Sequence, residues 1–192
     1  VPLGTVLAGP PRNGLAPHAQ TETGGYPMLR INAVSSAPTK DVDLRAVKNV
    51  AIGDTATAAY ELQPGDVFIV RYNGDINRVA KPAVFRGPAP TPIVYPDKLM
   101  RLRPRGAAMT PEFLVEALQA RSVRAQIEEL GKTTAGNIGV SGADAKSLII
   151  PVPPLGEQQH IVASLDALQA KVDALKGLQS QAAAELDALL PS

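Results

Sequence analysis

The spacing of apolar and polar positions divides the chain into three stretches. Up to about residue 105, apolar residues come in short runs broken by proline and glycine. Proline and glycine crowd residues 9–27 and 87–96, which read as loops. Residues 26–32 and 66–72 read as strands, and the second is entered through the turn signal Gln63, Pro64, Gly65. Asn73 and Gly74 both tolerate positive φ and predict a tight hairpin turn, with 76–85 as the returning strand. Ile93, Val94 and Tyr95 follow, then residues 98–103. There Arg101 and Arg103 alternate with Met100 and Leu102, which predicts a strand with one wet face.

The second stretch is helical. Thr110 is a suitable N-cap, Pro111 fits the first turn, and Glu112 suits the positive end of the helix dipole. Phe113, Leu114, Ala117 and Leu118 share a face. Ile127 and Leu130 continue the pattern after a break near Ser122, and Gly131 stops it. Residues 132–145 are small and polar and read as loop, and 147–150 read as a last short strand. Pro151, Pro153 and Pro154 can continue neither a helix nor an inner strand.

The third stretch, 157–190, holds no proline and a single glycine, Gly177. Ile161, Leu165, Leu168, Val172, Leu175, Gln179, Ala182, Leu186 and Leu189 follow a 4-3 spacing, an a/d heptad repeat with one polar intrusion at Gln179. At ~1.5 Å per residue the helix would be roughly 50 Å long. Its stripe needs a covering helix, in an intramolecular bundle or in a coiled coil with a second chain or repeat. The only other helical segment, near 111–130, is shorter, which favours the coiled coil. The expected architecture is α+β: a globular, twisted, β-rich body with short helices over 1–150, a proline elbow at 151–154, and a long coiled-coil helix over 155–192.

Composition narrows the function classes. The 192 residues are 45% hydrophobic, and the mean hydropathy is near zero. No apolar run reaches the roughly 18 residues of a membrane span. Residues 1–4 have no signal-peptide character, and Val1 in place of an initiator methionine suggests a fragment or processed product. Cysteine is absent, which excludes disulfides, thiolate metal sites and cysteine nucleophiles and fits a cytoplasmic protein. Two histidines, His18 and His160, cannot make a histidine-rich metal site. Residues 1–150 carry 17 basic and 13 acidic residues, whereas 151–192 carry 2 and 5. A mildly basic body thus adjoins an acidic helix, which allows a polyanionic partner for the body alone.

Enzyme motifs fail on inspection. Gly131, Lys132 and Thr133 resemble the end of a phosphate-binding loop, but position 126 is Gln where that motif needs glycine. Gly139, Val140, Ser141 and Gly142 are one residue short of a nucleophile elbow. Asp97 with Lys98 lacks the further carboxylate of a nuclease site. No catalytic residue, metal site or cofactor is expected.

The segment from Ile149 through Pro151, Pro153, Pro154, Leu155, Glu157, Gln158, Ile161 and Val162 resembles the I-P-x-P-P-L-x-E-Q-x-x-I-V junction of type I restriction–modification DNA specificity subunits. The opening residues 1–7 and residues 26–30, 62–69, 98–104 and 133–138 agree with that family in order and spacing. In the family the junction joins a target recognition domain to a long conserved helix. A complete subunit has two such domains and two helices packed antiparallel, whereas this chain has one of each.

The resemblance implies a non-catalytic subunit that binds double-stranded DNA and reads half of a bipartite target. Separate methyltransferase and restriction subunits would be its partners, with a second recognition half or a homodimer formed through the coiled coil. The competing reading is a coiled-coil adaptor without specific DNA binding. The resemblance transfers no contact residues. Candidates from residue chemistry are loop and strand-end cations, amides and hydroxyls: Arg12, Asn13, Arg71, Asn73, Asn77, Arg78, Lys81, Arg86, Lys132, Thr133, Thr134 and Asn137. Arg101, Arg103 and Arg105 rank below these as the wet face of a sheet.

Overall fold

All four side chains of Val67–Val70 are buried, and they are buried in two different cores. In the computed structural model, which describes residues 1–16, 25–36, 39–52, 57–89, 91–134 and 137–189, this run is an inner strand of a four-stranded sheet. The strands are β1 (Arg12–Asn13), β2 (Tyr26–Leu29), β3 (Val47–Val50), β4 (Val67–Val70), β5 (Tyr72–Asn73), β6 (Pro82–Val84), β7 (Leu99–Leu102), β8 (Lys132–Thr134) and β9 (Asn137–Gly139). The helices are α1 (Asn32–Ser35), α2 (Pro111–Gln119), α3 (Arg121–Leu130), α4 (Gly142–Ser147) and α5 (Leu155–Leu189). The α+β class expected from the sequence is the one observed.

The main sheet has the order β1-β7-β4-β6 and is antiparallel throughout. Side chains alternate across a strand, so Val67 and Ile69 join Met100, Leu102 and the apolar faces of α2 and α3 on one side. Phe68 and Val70 join Leu99, Ala83, Tyr95 and α1 on the other. Tyr95 meets Phe68 edge-on at 4.8 Å, and burial pushes its phenol up to about 12. Both faces are therefore packed over most of their area, and the arginines expected on a wet face stand at its partly exposed edge. Arg103 instead forks onto the wholly buried Asp66, at 2.6 Å from Nε and 2.9 Å from its terminal nitrogen. Asp66 also accepts from the Gln63 amide at 2.8 Å. Asp66→Ala leaves the half-buried guanidinium and that amide unpaired, and is expected to cost about 2–3 kcal/mol in denaturant unfolding.

The turn before β4 follows its sequence signal. The Asp66 amide donates to the Gln63 carbonyl at 2.9 Å, and Gly65 takes φ +88°, as a type II turn requires after proline. The tight turn expected at Asn73 and Gly74 is absent, since Gly74 has no positive φ. The strand β5 leaves the main sheet to pair with β9, a short 3-10 helix at Ile76–Arg78 follows, and the chain returns as β6. β4 and β6 still pair, with Val67 opposite Val84, so the strand partners are as expected but the connection is wide.

The segment read as loop, 132–145, is structured. β8 and β9 form a hairpin, and α4 starts with a capping box between Ser141 and Asp144. A Cβ on Gly139 would lie 2.9 Å from Tyr72 Cβ, so glycine permits the close crossing of β9 and β5. Because α4 runs to Ser147, the strand expected at 147–150 shrinks to one bridge between Ile149 and Pro2.

Thr110 caps α2 by accepting from the Phe113 amide at 3.2 Å. The break between α2 and α3 falls at Ala120 rather than near Ser122, and Gly131 ends α3. The helix α5 is 35 residues long. Among the described residues only its first turns meet the body: Gln158 is fully buried, Ile161 and Val162 pack against the core, and Asp166 accepts from Lys40. From 163 to 185 every residue is exposed. Among the described residues no helix is long and apolar enough to cross a membrane.

Candidate nucleic-acid interface

The small sheet β5-β9-β8 gathers candidates that lie far apart in sequence. Tyr72 stands opposite Gly139 and Asn73 opposite Ile138. On the other side of β9, Lys132, Thr133 and Thr134 stand opposite Gly139, Ile138 and Asn137. Arg71, Tyr72, Asn137, Ser141 and Asp144 line an open cleft of about 400 Å³. The Arg71 guanidinium lies 5.7 Å from the centre of the Tyr72 ring. Burial, and then the nearby Asp97 carboxylate, raise the Tyr72 phenol above its ordinary value, so it is a neutral donor at neutral pH. The side chains of Lys132, Thr133 and Thr134 lie outside the described part of the structure.

A second cleft, of about 440 Å³, is lined by Arg12, Arg101 and Arg103. Arg12 in β1 pairs with Arg101 in β7, and its guanidinium stands 4.5 Å from the centre of the Tyr60 ring. Asn13, one residue on, keeps its amide oxygen buried and unpaired. Pro11, which lines this second cleft, lies against Gly142, the neighbour of Ser141 in the first, so the two clefts flank one segment.

The side chains of the other candidates, and of Asn73 itself, are engaged by neighbours. Asn77 donates its backbone and side-chain amides to Asp75 at 2.9 and 3.0 Å, and the Asn73 side chain accepts from the Asp75 amide at 3.0 Å. Arg78 is exposed, 3.4 Å from Ser36 Oγ and 3.7 Å from Asp75. Lys81 donates to the Ser35 carbonyl at 3.2 Å. Arg86 is matched by two carboxylates, Asp41 at 2.7 Å and Glu112 at 2.9 Å. Lys81 and Arg86 line a different cleft, between the body and α5. The candidates therefore do not share one surface.

The sequence reading did not include Tyr72 and Tyr60, which the structure places beside Arg71 and Arg12, and it ranked Arg101, which lines a cleft with Arg12, below the hairpin residues. The available signal was an aromatic set directly between Arg71 and Asn73, the interleaving of aromatic and polar groups that suits base and phosphate contact. Guanidinium groups can neutralise phosphates or pair with guanine, and amides can pair with adenine. Among the described residues no cluster of histidine and carboxylate side chains could hold a metal ion.

Along α5, Leu168 and Leu175 are 57% and 60% exposed, and Leu165 and Val172 are exposed as well. Ile161 differs, because it packs on the body rather than standing free. Leu178, exposed beside the polar Gln179, extends the apolar stripe. Ala182 is exposed, while the side chains of Leu186 and Leu189 lie outside the described part.

The family described as the type I restriction modification DNA specificity domain matches residues 10–184. Over 181 residues the chain is 31% identical to the type I restriction enzyme EcoKI specificity subunit of Escherichia coli K12, which covers 94% of this chain and 38% of that protein. A putative type I restriction enzyme MjaX specificity subunit of Methanocaldococcus jannaschii is 27% identical over 150 residues, covering 78% of this chain and 34% of that protein. The crystal structure of an HsdS subunit from Thermoanaerobacter tengcongensis superposes with a TM-score of 0.66 at 26% identity, over 98% of this chain and 41% of that one. The chain thus spans well under half the length of the relatives it matches.

Proposed function

The chain belongs to the type I restriction–modification DNA specificity family, and on that premise we propose that it is a non-catalytic unit that recognises a specific double-stranded DNA sequence, one half of a bipartite target. Residues 1–150 are the recognition domain, 151–154 the elbow and 155–192 the helix that pairs with a second recognition half. That half is a second copy of this chain or the remainder of a longer one. The paired unit places methyltransferase and restriction subunits on DNA in the cytoplasm.

The observation that carries the reading is the convergence of Arg71, Tyr72, Asn73 and Asn137 on one small sheet, beside a cleft lined by Arg12 and Arg101. These are the groups that phosphates and base edges require, and chain segments distant in sequence supply them. The acidic α5 is the wrong surface for DNA, which leaves the helix available for protein contacts.

The test is binding of the whole chain to duplex DNA as salt is raised. With about four phosphates neutralised, affinity is expected to fall about a hundredfold between roughly 50 and 200 mM salt. Affinity that stays flat over that range overturns the reading. In the same assay Arg71→Ala and Asn137→Ala are each expected to cost ~1–3 kcal/mol of specific binding. Arg86→Ala, whose charge is already matched by Asp41 and Glu112, is expected to leave binding unchanged.

A further inference from the structure

Two polar anchors hold α5 to the body, one at each end of the short stretch in which Ile161 and Val162 pack on the core, and the outer one acts with the longer lever. The first is Gln158, fully buried at the helix start, with hydrogen bonds to three backbone groups. The second lies eight residues further along, about 12 Å up the helix axis. There Lys40, on the segment before β6's neighbour Asp41, reaches across to α5 and bonds Asp166 at 3.1 Å. The same ammonium pairs with Glu116 on α2, a carboxylate that is 13% exposed and therefore itself held by the body. Beyond Asp166 nothing in the described structure supports the helix laterally. Lys40 lines the 680 Å³ cleft between body and helix together with Asp173 and Lys176, so the space on the far side of the contact is open.

We infer that Lys40, bridging Glu116 and Asp166, is a positioning residue that sets the tilt of α5 against the recognition domain and so the separation of the two half-sites. This rests on the reading of the chain as half of a two-part DNA reader. In that arrangement a small change of tilt at the elbow is multiplied along a helix of 35 residues. A shift of one base pair in spacer length moves a half-site by about 3.4 Å and rotates it by about a tenth of a turn. The angle at the body is therefore a specificity setting as much as a structural one.

The test compares Asp166→Ala with Asp173→Ala. Both remove one negative charge from the same helix and the same cleft, and both introduce the best helix former. Asp166 accepts from Lys40, whereas Asp173 accepts from Gln169 of its own helix at 2.9 Å. Because the chain has no cysteine, spin labels can be placed cleanly at Ala143→Cys on the body and Ser180→Cys on the helix. The intrachain distance is read by double electron–electron resonance after dilution with unlabelled protein. The unaltered pair is expected to give one narrow distribution, Asp173→Ala the same one, and Asp166→Ala a shifted or broadened one. A distribution unchanged by Asp166→Ala, or already broad without it, overturns the proposal.

The consequence for DNA is read by selection from a randomised duplex pool. The unaltered chain is expected to enrich one spacer length, and Asp166→Ala to lower the preference for it over neighbouring lengths by about two- to fivefold, the worth of a partly exposed ion pair. An unchanged preference overturns the spacing role. If the unaltered chain enriches single half-sites only, the spacing role in a self-paired chain is overturned; if it enriches no sequence at all, the half-reader function fails as well, while the distances still decide whether Lys40 sets the tilt.

Discussion

Gln158→Glu is expected to remove about 3–5 kcal/mol of folding stability, although it replaces one nitrogen by one oxygen. The Gln158 side chain is wholly buried and completely bonded: Nε2 donates to the carbonyls of Ala108 at 2.9 Å and Pro153 at 2.8 Å, and Oε1 accepts from the Thr110 amide at 2.9 Å. A glutamate keeps the last bond and turns the first two into contacts between a buried carboxylate oxygen and two carbonyl oxygens. No cation lies among its partners, so the charge is uncompensated. Burial raises the introduced carboxyl above its value in the unfolded chain, so the folded state binds the proton more tightly. The penalty is then full at neutral pH and shrinks as pH falls through the raised value, the reverse of an ion-paired carboxylate. Denaturant unfolding at neutral and mildly acid pH measures both the loss and its sign. A loss below about 1 kcal/mol would mean that the elbow tolerates an open pivot, and the fixed helix direction would go with it.

How much of this was legible in the sequence differs from element to element. Where one local signal decides, the sequence sufficed: the Pro64-Gly65 turn, the Thr110 cap and the heptad stripe each depend on neighbours within a few positions. Where the outcome depends on a distant segment, it did not. Asn73 and Gly74 have the chemistry of a hairpin turn, yet β9, drawn in from residues 137–139, takes β5 as its partner and opens the connection. The same event makes strands of a segment whose small residues read as loop, because Gly139 is needed for close approach rather than for flexibility.

The candidate site shows the same division. Residue chemistry picked Arg71, Asn73 and Asn137, and the sheet brings them together. It also picked Arg86, whose neutralising carboxylates lie 45 and 26 positions away and could not be seen. Gln158 was legible only as part of the junction motif; its role as the pin of the elbow required knowing that Ala108 and Thr110 stand across from it. Arg101 and Arg103 alternate like residues of a wet face because the second core has a polar edge there, where Asp66 and the Tyr95 ring receive them.

Leu168→Asp together with Leu175→Asp is expected to abolish association of the chain with itself. Both leucines are more than half exposed on the isolated chain, one helical heptad apart on a stripe that none of the described body residues covers. The resemblance suggests antiparallel pairing of two such helices, which would carry the recognition domains at opposite ends of a rod roughly 50 Å long. Two-fold symmetry follows for two identical copies, and with it a preference for palindromic interrupted sites. Burying a leucine contributes ~1.5–3 kcal/mol, and each counts twice in a symmetrical pair. Replacing them with carboxylates removes that gain and sets like charges in a dry seam. The affinity of the pair should therefore fall by more than about a thousandfold. Sedimentation at tens of micromolar separates the outcomes, with the unaltered chain a dimer and the double variant a monomer of unchanged helix content. The variant body keeps Arg71, Tyr72 and Asn137, so it should still bind a single half-site while losing its preference for two. A dimer that survives both substitutions would place the contact elsewhere than on the stripe. An unaltered chain that sediments as a monomer would mean that the natural partner of α5 is the second helix of a longer polypeptide rather than a copy of itself.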